Sequence, residues 1–370
     1  MRRLMALAAA LSLLAACGGS GGTAGGDTTT PGPSPTESDT STSPTSSPDT
    51  EAESSSTTEA PAAGTLTVYS GRNENFVEPV IEAFTEATGI EVEVRYAGTG
   101  DLATTIVTEG DSSPADVFWA QDPAFIGGLA KEGFLTELPE DITSMVQERF
   151  VDANGHWVGI TGRARVFVHN TDLVAESELP ADVWALTEPE WEGRLGVAPT
   201  NGSFVAFVTG MILSEGEERT AEWLEGIAAN NPQIFDGNGP IVDAVVAGDL
   251  DAGLVNHYYL LQRIAELGEV PAENHFFADG DPGGLVMAAG AGVLQSSDQP
   301  EVAEDFIRHL LSQESQEHFL TLFEYPLVEG VGTPEGQLPL EELPTLDISL
   351  TDTADTLDPA LTLIAESGLS

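Results

Sequence analysis

The sequence predicts an α/β protein of two lobes, each a mostly parallel sheet flanked by helices, joined to one another by crossing strands. Two sets of alternating β-prone and helix-prone segments predict the sheets, and two further β-prone runs without helices predict the crossings. A folded part of about 300 residues is also large for a single hydrophobic core, which favours two lobes.

The first set begins at Leu66 and alternates regularly between the two kinds of segment. Its β-prone runs LTVY, EVEVRY and ADVFW cover residues 66–69, 91–96 and 115–119. Apolar residues at helical spacing follow these runs, over residues 76–87, 101–109 and 123–132. This βαβαβα order predicts parallel strands, because each helix carries the chain back to the starting edge of the sheet.

The second set begins near Arg194 and repeats the alternation. Strands are predicted at residues 194–199 and 252–256. The predicted helices of this set cover residues 204–213, 220–228, 241–247 and 258–267. A second sheet with helices on its faces is the expected result.

Two β-prone runs link the sets. Residues 156–170 (HWVGITGRARVFVHN) hold two β-like stretches with no helix between them, and residues 284–294 (GLVMAAGAGVL) form the return crossing. Ligands of open α/β sheets bind outside the carboxyl ends of the strands, so we expect a site in the cleft between the lobes. The predicted first lobe comprises residues 64–165 and about 284–325, and the second comprises about 166–283 and 326–370 with C-terminal helices.

The first 63 residues predict export and anchoring rather than a folded domain. Residues 1–17 (MRRLMALAAALSLLAAC) combine two arginines with an apolar run too short for a transmembrane helix, which is typical of a secretory signal peptide. The end of this run resembles the bacterial lipoprotein lipobox, which implies a lipid anchor on Cys17; an ordinary signal peptide is the alternative. Residues 18–63, rich in Ser, Thr, Pro and Gly, predict a disordered linker. The predicted location is the outer face of the cytoplasmic membrane, in a periplasm or at the cell surface.

The charge of the chain excludes several classes of partner. There are 61 acidic and 12 basic residues, and the formal net charge is −49. Such a surface repels phosphate backbones and anionic lipid headgroups, so we expect neither nucleic-acid binding nor membrane docking through basic patches. Cys17 is the only cysteine, which excludes a disulfide framework and a thiolate metal site.

Two adjacent tyrosines, Tyr258 and Tyr259, are the strongest candidates for chemistry. They follow the predicted strand 252–256, so a strand-to-helix turn would aim both phenols into the cleft. A hard trivalent cation prefers anionic oxygen donors and can displace the phenolic proton near neutral pH, which gives tyrosinate ligands. Packing in the core or at the rim of the cleft is the alternative for such a pair.

Eight short motifs lie in order along the folded part. They are LTVYSGR (66–72), SPADVFWAQD (113–122), WVGITGRARV (157–166), EWEGRL (190–195), APTNGSF (198–204), NHYYL (256–260), DPGGLV (281–286) and FEYPL (323–327). Together they resemble the ferric-ion-binding proteins, the solute receptors of iron(III) ABC transporters. The resemblance implies a periplasmic-binding-protein fold of type II. It also implies a monomer without enzymatic activity, which captures ferric iron between two lobes and delivers it to an ABC permease.

By this resemblance Tyr258 and Tyr259 are iron ligands from the second lobe. A synergistic anion, phosphate or carbonate, fills further coordination positions and is held by a loop of small residues and by asparagines. The loop precedes the predicted helix 204–213, whose N-terminal N–H groups favour an anion. The matching anion-binding residues of this chain are Asn201, Gly202, Ser203, Asn238 and Asn256.

The first lobe departs from the family pattern. Asn73 and Gln121 occupy positions where relatives often have histidine and glutamate, and Phe204 stands where some relatives have a third tyrosine. Asp122 or Glu74 is the candidate for a carboxylate ligand to the metal; otherwise water and the anion complete the coordination. The residues expected to line the first-lobe side of the cleft are Arg72, Asn73 and Gln121.

Other readings of the chain remain open at this point. The same receptor fold could bind a phosphate-bearing or other small organic anion without iron, because the first-lobe ligands are substituted. A secreted hydrolase is a third possibility, but no GxSxG, HExxH or P-loop pattern occurs. Arg163 and Arg165, in the first crossing run, either neutralise the bound anion or form structural salt bridges. His257 is expected to pack rather than to bind a ligand.

Overall fold

The computed structural model describes residues 64–369, so the predicted signal peptide, Cys17 and the linker lie outside the described part. The strands are β1 Thr65–Ser70, β2 Glu91–Tyr96, β3 Val117–Ala120, β4 Val158–Asn170, β5 Leu195–Val197, β6 Gln233–Ile234, β7 Ala252–Asn256, β8 Ala272–His275, β9 Val286–Val293 and β10 Tyr325–Pro326. The α-helices are α1 Glu74–Thr88, α2 Thr99–Glu109, α3 Pro123–Lys131, α4 Glu140–Thr143, α5 Gly202–Glu215, α6 Glu217–Ala229, α7 Asn238–Ala247, α8 Tyr258–Leu267, α9 Pro300–Leu310, α10 Gln313–Thr321 and α11 Leu357–Glu366. None of the described helices is long and apolar enough to cross a bilayer.

The strands form two parallel parts that are joined by antiparallel strands. The order along the sheet is β2-β1-β3-β9-β4-β7-β5-β6. β1 pairs in parallel with β2 and β3, and β5 pairs in parallel with β6 and β7. β9 and β4 run antiparallel to their neighbours and connect the two parts, which are the crossings expected from the sequence.

The run 156–170 forms one long strand rather than two separate stretches. β4 pairs through its first half with β9 and β10, and through its second half with β7 and β8. The register with β9 shifts between Gly159 and Thr161, which marks a β-bulge. A bulge adds local twist without ending the strand, so a single strand can serve both parts of the sheet.

Separate hydrophobic clusters cover the two parallel parts. The first core includes Val68 of β1, Phe84 of α1 and Phe306 of α9. The second part is covered by two clusters, which include Trp223 of α6 and Ile241 of α7. Each core therefore contains the helices that connect its own strands, as the alternation of segments predicts.

The chain after β10 divides between these cores. Leu327, Leu340 and Leu350 pack in the first core, whereas Ala360 and Ile364 of α11 pack in the second. The sequence-based prediction places all residues after 325 in the second lobe. It does not account for the packing of Leu327, Leu340 and Leu350 in the first core. The lobe boundaries stay predictions.

Helix α1 shows how the local sequence sets an element next to the site. The side chain of Asn73 caps its first turn by accepting a hydrogen bond from the N–H of Asn75. The buried face repeats at helical spacing through Val77, Ile81 and Phe84, and Gly89 ends the helix with a φ of 73°. The first turn of α1 therefore begins directly after β1, at the carboxyl end of that strand.

Two adjacent glycines of α3, Gly127 and Gly128, allow a test of how closely this helix packs against the chain at Ala354 and Leu357. A Cβ at Gly127 would lie 2.9 Å from the Cβ of Ala354, whereas a Cβ at Gly128 would meet Leu357 Cδ2 at an ordinary 3.6 Å. Both Gly→Ala changes gain the same helix propensity, so we expect Gly127→Ala to be less stable than Gly128→Ala by about 1–3 kcal/mol. Urea unfolding of the two variants measures the difference, and equal stability would contradict the close contact.

Candidate metal centre

The two tyrosines lie at the turn between β7 and α8. β7 ends at Asn256, and α8 begins with Tyr258 and Tyr259, whose rings stack with centroids 4.4 Å apart. Tyr258 is buried, with 1% of its surface exposed, while Tyr259 remains partly exposed. The ring of Phe76, from α1, contacts the ring of Tyr258 edge-on at 6.2 Å. The pair therefore faces the other parallel part of the sheet.

The environment of the pair keeps at least one phenol protonated in the iron-free protein. Enclosure by protein atoms, and then the neighbouring Tyr258, raises the pKa of Tyr259 well above its ordinary value. The described residues contain no group of three or more His, Cys, Asp or Glu side chains placed to hold a metal.

A buried ion pair faces the tyrosines. The guanidinium of Arg72 donates to Glu324 at 2.6 Å, and both side chains are almost fully buried. Although burial alone opposes ionisation of Glu324, Arg72 leaves the pKa of this carboxyl below its ordinary value. Arg72 also donates to Gln121 Oε1 at 2.7 Å, and Gln121 Nε2 lies 3.4 Å from the phenolic oxygen of Tyr258. This contact joins the two parallel parts of the sheet.

Two further arginines, Arg163 and Arg165 of β4, lie near the tyrosine pair. Arg163 is 1% exposed, and none of its three guanidinium nitrogens has a hydrogen-bond partner in the described protein. Arg165 donates to Asn238 Oδ1 at 2.9 Å and to the carbonyl of Leu254 at 2.8 Å. Burial lowers the pKa of Arg165 to about 9. Neither arginine has an ion pair among the described residues, so the predicted alternative of structural salt bridges is wrong.

The asparagines and the small-residue loop form one network at the start of α5. Asn201 caps this helix, and its Oδ1 accepts from the N–H of Ser203 at 3.1 Å and from the Ser203 hydroxyl at 2.6 Å. Asn238 donates to the Ser203 hydroxyl at 3.1 Å and accepts from the backbone N–H of Asn256 at 3.1 Å. The side-chain nitrogen of Asn256 is buried and has no partner in the described protein. The structure thus brings the predicted anion-binding residues together.

Asp122 lies directly against this loop. A Cβ at Gly202 would be 2.8 Å from Asp122 Oδ2, so only glycine allows the carboxylate to approach so closely. Asp122 Oδ1 caps α3 by accepting from the N–H of Phe125 at 3.3 Å, while the buried Oδ2 has no protein partner. Burial raises the pKa of Asp122 to about 6, and the nearby Arg163 opposes that shift.

Other predicted cleft residues lie outside this cluster. Asn73 is exposed and serves as the cap of α1. Glu74 is exposed in the first turn of α1, where its charge contributes to raising the pKa of Tyr96, after the larger effect of burial. Among the described hydrogen bonds, none joins Glu74 to the tyrosines.

His257 is a structural residue, as expected from the sequence. It is fully buried, and its Nδ1 accepts from the N–H of Ala164 at 3.3 Å while Nε2 lies 2.9 Å from the carbonyl of Phe323. Burial lowers the pKa of His257 to about 4, so the ring is neutral at pH 7. Its hydrogen bonds set the turn that leads into Tyr258.

Sequence reasoning missed Glu324. The residue lies in the motif FEYPL, but it is one of 61 acidic residues. Its partner Arg72 is 252 positions away in the chain. A local signal was available, because a glutamate flanked by two aromatic residues, Phe323 and Tyr325, is a candidate for a buried ion pair.

Comparisons with known proteins identify the family. A family model described as bacterial extracellular solute-binding protein matches residues 69–317. The chain is 31% identical to an Fe(3+)-binding periplasmic protein of Serratia marcescens, over 84% of this chain and 92% of the relative. It is 33% identical to a major ferric iron-binding protein of Neisseria meningitidis, over 85% of this chain and 96% of the relative. Iron-bound HitA from Pseudomonas aeruginosa superposes with a TM-score of 0.79 at 35% identity, and the match covers 82% of this chain and 99% of that one.

These matches confirm two predictions from the sequence. The fold is the periplasmic-binding-protein fold of type II, since the solved iron-bound HitA shares it along nearly its whole length. The resemblance to ferric-ion-binding receptors is confirmed by relatives that align over more than four fifths of this chain. The chain therefore belongs to the bacterial extracellular solute-binding protein family, in which its relatives include ferric iron-binding proteins of the periplasm.

Proposed function

We propose that this protein captures ferric iron together with a synergistic anion and delivers it to an ABC importer. The observation that carries the proposal is the stacked pair Tyr258–Tyr259, placed next to the buried arginines Arg163 and Arg165, neither of which forms an ion pair among the described residues. Phenolate oxygen is a strong ligand for a hard trivalent cation. The relatives named above support iron as the cargo, because their names describe ferric iron binding.

The charges around the pair favour an anion beside the metal. Arg72, Arg163 and Arg165 are buried here, and two carboxylates, Glu324 and Asp122, accompany them. With all five groups ionised and both phenols neutral, the cluster carries one net positive charge. Iron(III) that displaces two phenolic protons adds a further positive charge, and an uncompensated charge in a buried site is costly. A dianionic oxyanion, such as phosphate or carbonate, would neutralise the loaded site.

The proposed position of the anion is between Arg163 and the start of α5. The free N–H groups at this end of the helix and its dipole favour negative charge. The unpartnered nitrogens of Arg163 and Asn256 supply further donors. Asn201, Gly202, Ser203 and Asn238 would complete the anion site.

Asp122 is the proposed carboxylate of the first lobe. Its Oδ2 is buried and unpartnered at the cleft, whereas Glu74 is exposed and lies beside Tyr96. Asp122 therefore remains a candidate ligand to iron, and Glu74 is the weaker one. Ligand binding would hold the cleft closed, because Asp122 and the tyrosines come from opposite parts of the sheet.

The remaining parts of the proposal concern location and partners. A lipid on Cys17 would tether a monomeric receptor to the outer face of the cytoplasmic membrane, and the linker 18–63 would let it reach an ABC permease. The family supports an extracytoplasmic place for the folded part. Labelling with radioactive palmitate, compared between the wild type and Cys17→Ser, tests the anchor.

Calorimetry tests the function itself. Ferric iron, phosphate and carbonate are titrated into the purified protein, separately and in combination. The proposal expects tight iron binding that strengthens when an anion is present. Tight binding of phosphate with no measurable affinity for iron would contradict it.

Phosphate binding without iron binding would instead support the second candidate function, a receptor for a phosphate-bearing or other small organic anion. The specific observation in its favour is Arg163, a buried guanidinium with no protein partner. An anion alone would satisfy this side chain. It would leave the two stacked phenols without a role, which is why iron is preferred.

Iron affinity should rise steeply with pH. Enclosure by protein atoms raises the pKa of Tyr259, so this phenol is protonated in the iron-free protein, and each tyrosinate that forms releases one proton. Two such ligands predict an affinity that increases about a hundredfold per pH unit near neutrality, and that is lost as the pH falls. Calorimetry in buffers of different ionisation heat counts the released protons. Tyr259→Phe should release about one proton fewer; an unchanged count would contradict ligation by Tyr259.

A further inference from the structure

Gln121 bridges a buried arginine and one of the tyrosines. It follows β3, and its backbone N–H donates to the hydroxyl of Thr99 at 3.2 Å. Its side chain contacts Arg72 Nη1 through Oε1 at 2.7 Å and the phenolic oxygen of Tyr258 through Nε2 at 3.4 Å. Both ends of the amide are therefore used, and each contacts a side chain of the proposed iron site.

The chemistry of Arg72 decides which end of the amide faces the tyrosine. A guanidinium has only N–H donors, so the atom of Gln121 that faces it must be the oxygen. Arg72 is itself fixed by its bond to Glu324 at 2.6 Å, so the amide cannot turn over without losing the hydrogen bond that it accepts from Arg72. The NH₂ group of Gln121 consequently points at the oxygen of Tyr258 as a donor.

We propose that Gln121 is a positioning residue that donates a hydrogen bond to the Tyr258 oxygen in the iron-loaded protein. The inference rests on the proposed function, because it concerns the tyrosinate that binds iron. An amide NH₂ group is not a metal ligand, so Gln121 does not replace the glutamate that relatives often have at this position. It acts on the metal through the tyrosine instead.

The hydrogen bond should strengthen when the phenol becomes a tyrosinate. Donation to an ionised oxygen gives shorter and stronger bonds than donation to a neutral one, and the present 3.4 Å leaves room to shorten. Partners of this kind orient metal ligands and change their basicity. A donor on the tyrosinate oxygen withdraws electron density from it, so it raises the energy of the tyrosinate-to-iron charge-transfer band.

The test compares the visible absorption of the iron-loaded wild type with that of Gln121→Leu and Gln121→Met. Both variants remove the donor, and methionine keeps the unbranched shape if leucine folds poorly. We expect the charge-transfer band to move to longer wavelength in both, with a loss of iron affinity on the order of tenfold or more. Gln262→Leu is the matched control, since Gln262 lies in α8 and donates to the carbonyl of Leu322; its band should not move.

A second measurement observes the donor directly. Gallium(III) is a diamagnetic trivalent substitute for iron, and loading the wild type with it should shift the side-chain NH₂ protons of Gln121 downfield in the NMR spectrum. A band that stays in place or moves to shorter wavelength in both variants, or an amide that does not shift, would overturn the inference while leaving a coloured, functional receptor. A wild type that takes up no iron would overturn the proposed function and this inference together.

Discussion

Replacing Tyr258 and Tyr259 together with phenylalanine should abolish the colour of the ferric-loaded protein and nearly all of its iron affinity. The change removes two oxygen ligands and keeps both stacked rings, so the fold should remain intact. Outer-shell partners of metal ligands alone are worth about 10–100-fold in affinity, so we expect the loss of both ligands to exceed ~10³-fold. Competition with citrate, followed by visible absorption, measures the loss.

Tyr325→Phe is the matched control for this experiment. Tyr325 is also buried, but its hydroxyl donates to the carbonyl of Leu338, away from the pair. The control should keep its colour and its iron affinity. Full affinity in the double variant, or an equal loss in the control, would rule out the tyrosine pair as the iron site.

Glu324→Leu should be among the most destabilising substitutions in the protein. It leaves Arg72 buried without its carboxylate, next to the unpartnered guanidinium of Arg163. Breaking a buried ion pair on one side typically costs about 3–5 kcal/mol. Urea unfolding at pH 7 measures the loss, and we expect iron binding to weaken as well, because the cluster becomes more positive.

Two comparisons separate the buried pair from an ordinary loss of charge. The double variant Arg72→Met/Glu324→Leu removes both charges, so it should be less destabilised than Glu324→Leu alone. Asp141→Ala breaks an exposed pair with Arg308 and should change stability much less. If Glu324→Leu is no more destabilising than Asp141→Ala, the buried pair does not stabilise the fold.

The same ion pair gives a pH dependence with a definite sign. In the folded protein Arg72 holds the pKa of Glu324 below its ordinary value, although burial opposes this. A carboxyl with a lowered folded pKa contributes its stability above the unfolded pKa and loses it as the pH falls through the folded one. The stability difference between the wild type and the double variant should therefore shrink below about pH 4.

Local patterns in the sequence predict much of the fold. Period-two runs and helical spacing identify β2, α1 and the strand–turn–helix that carries Tyr258. These elements depend on burying a face that is visible in neighbouring residues. The long strand β4 shows where this fails, because one strand with a bulge between Gly159 and Thr161 runs where the pattern indicates two.

The candidate site is predictable in part for the same reason. Adjacent tyrosines and the loop 201–203 are contiguous in the chain, so their place follows from one turn and one helix start. The pairing of Arg72 with Glu324 depends on contacts between distant segments. So does the preference for Asp122 over Glu74 as the proposed carboxylate ligand of the first lobe. In a chain with 61 acidic residues, local features alone do not decide which carboxylates are buried.

The charge of the chain and the charge of the site have opposite signs. The whole chain carries −49, yet three of its few arginines are buried around the tyrosines, and two of these have no acidic partner among the described residues. An acidic surface attracts cations in general but does not select iron, and salt screens that attraction within about 8–10 Å. In the proposed function, selection is therefore assigned to the phenols and to the anion that the arginines would hold.

The most direct test is an anomalous-difference map of crystals grown with ferric iron and phosphate, collected at the iron absorption edge. The account predicts one strong peak at bonding distance from the oxygens of both Tyr258 and Tyr259, with an oxyanion between the peak and Arg163. An iron peak elsewhere in the protein, or an oxyanion bound at Arg163 with no iron beside the tyrosines, would contradict it.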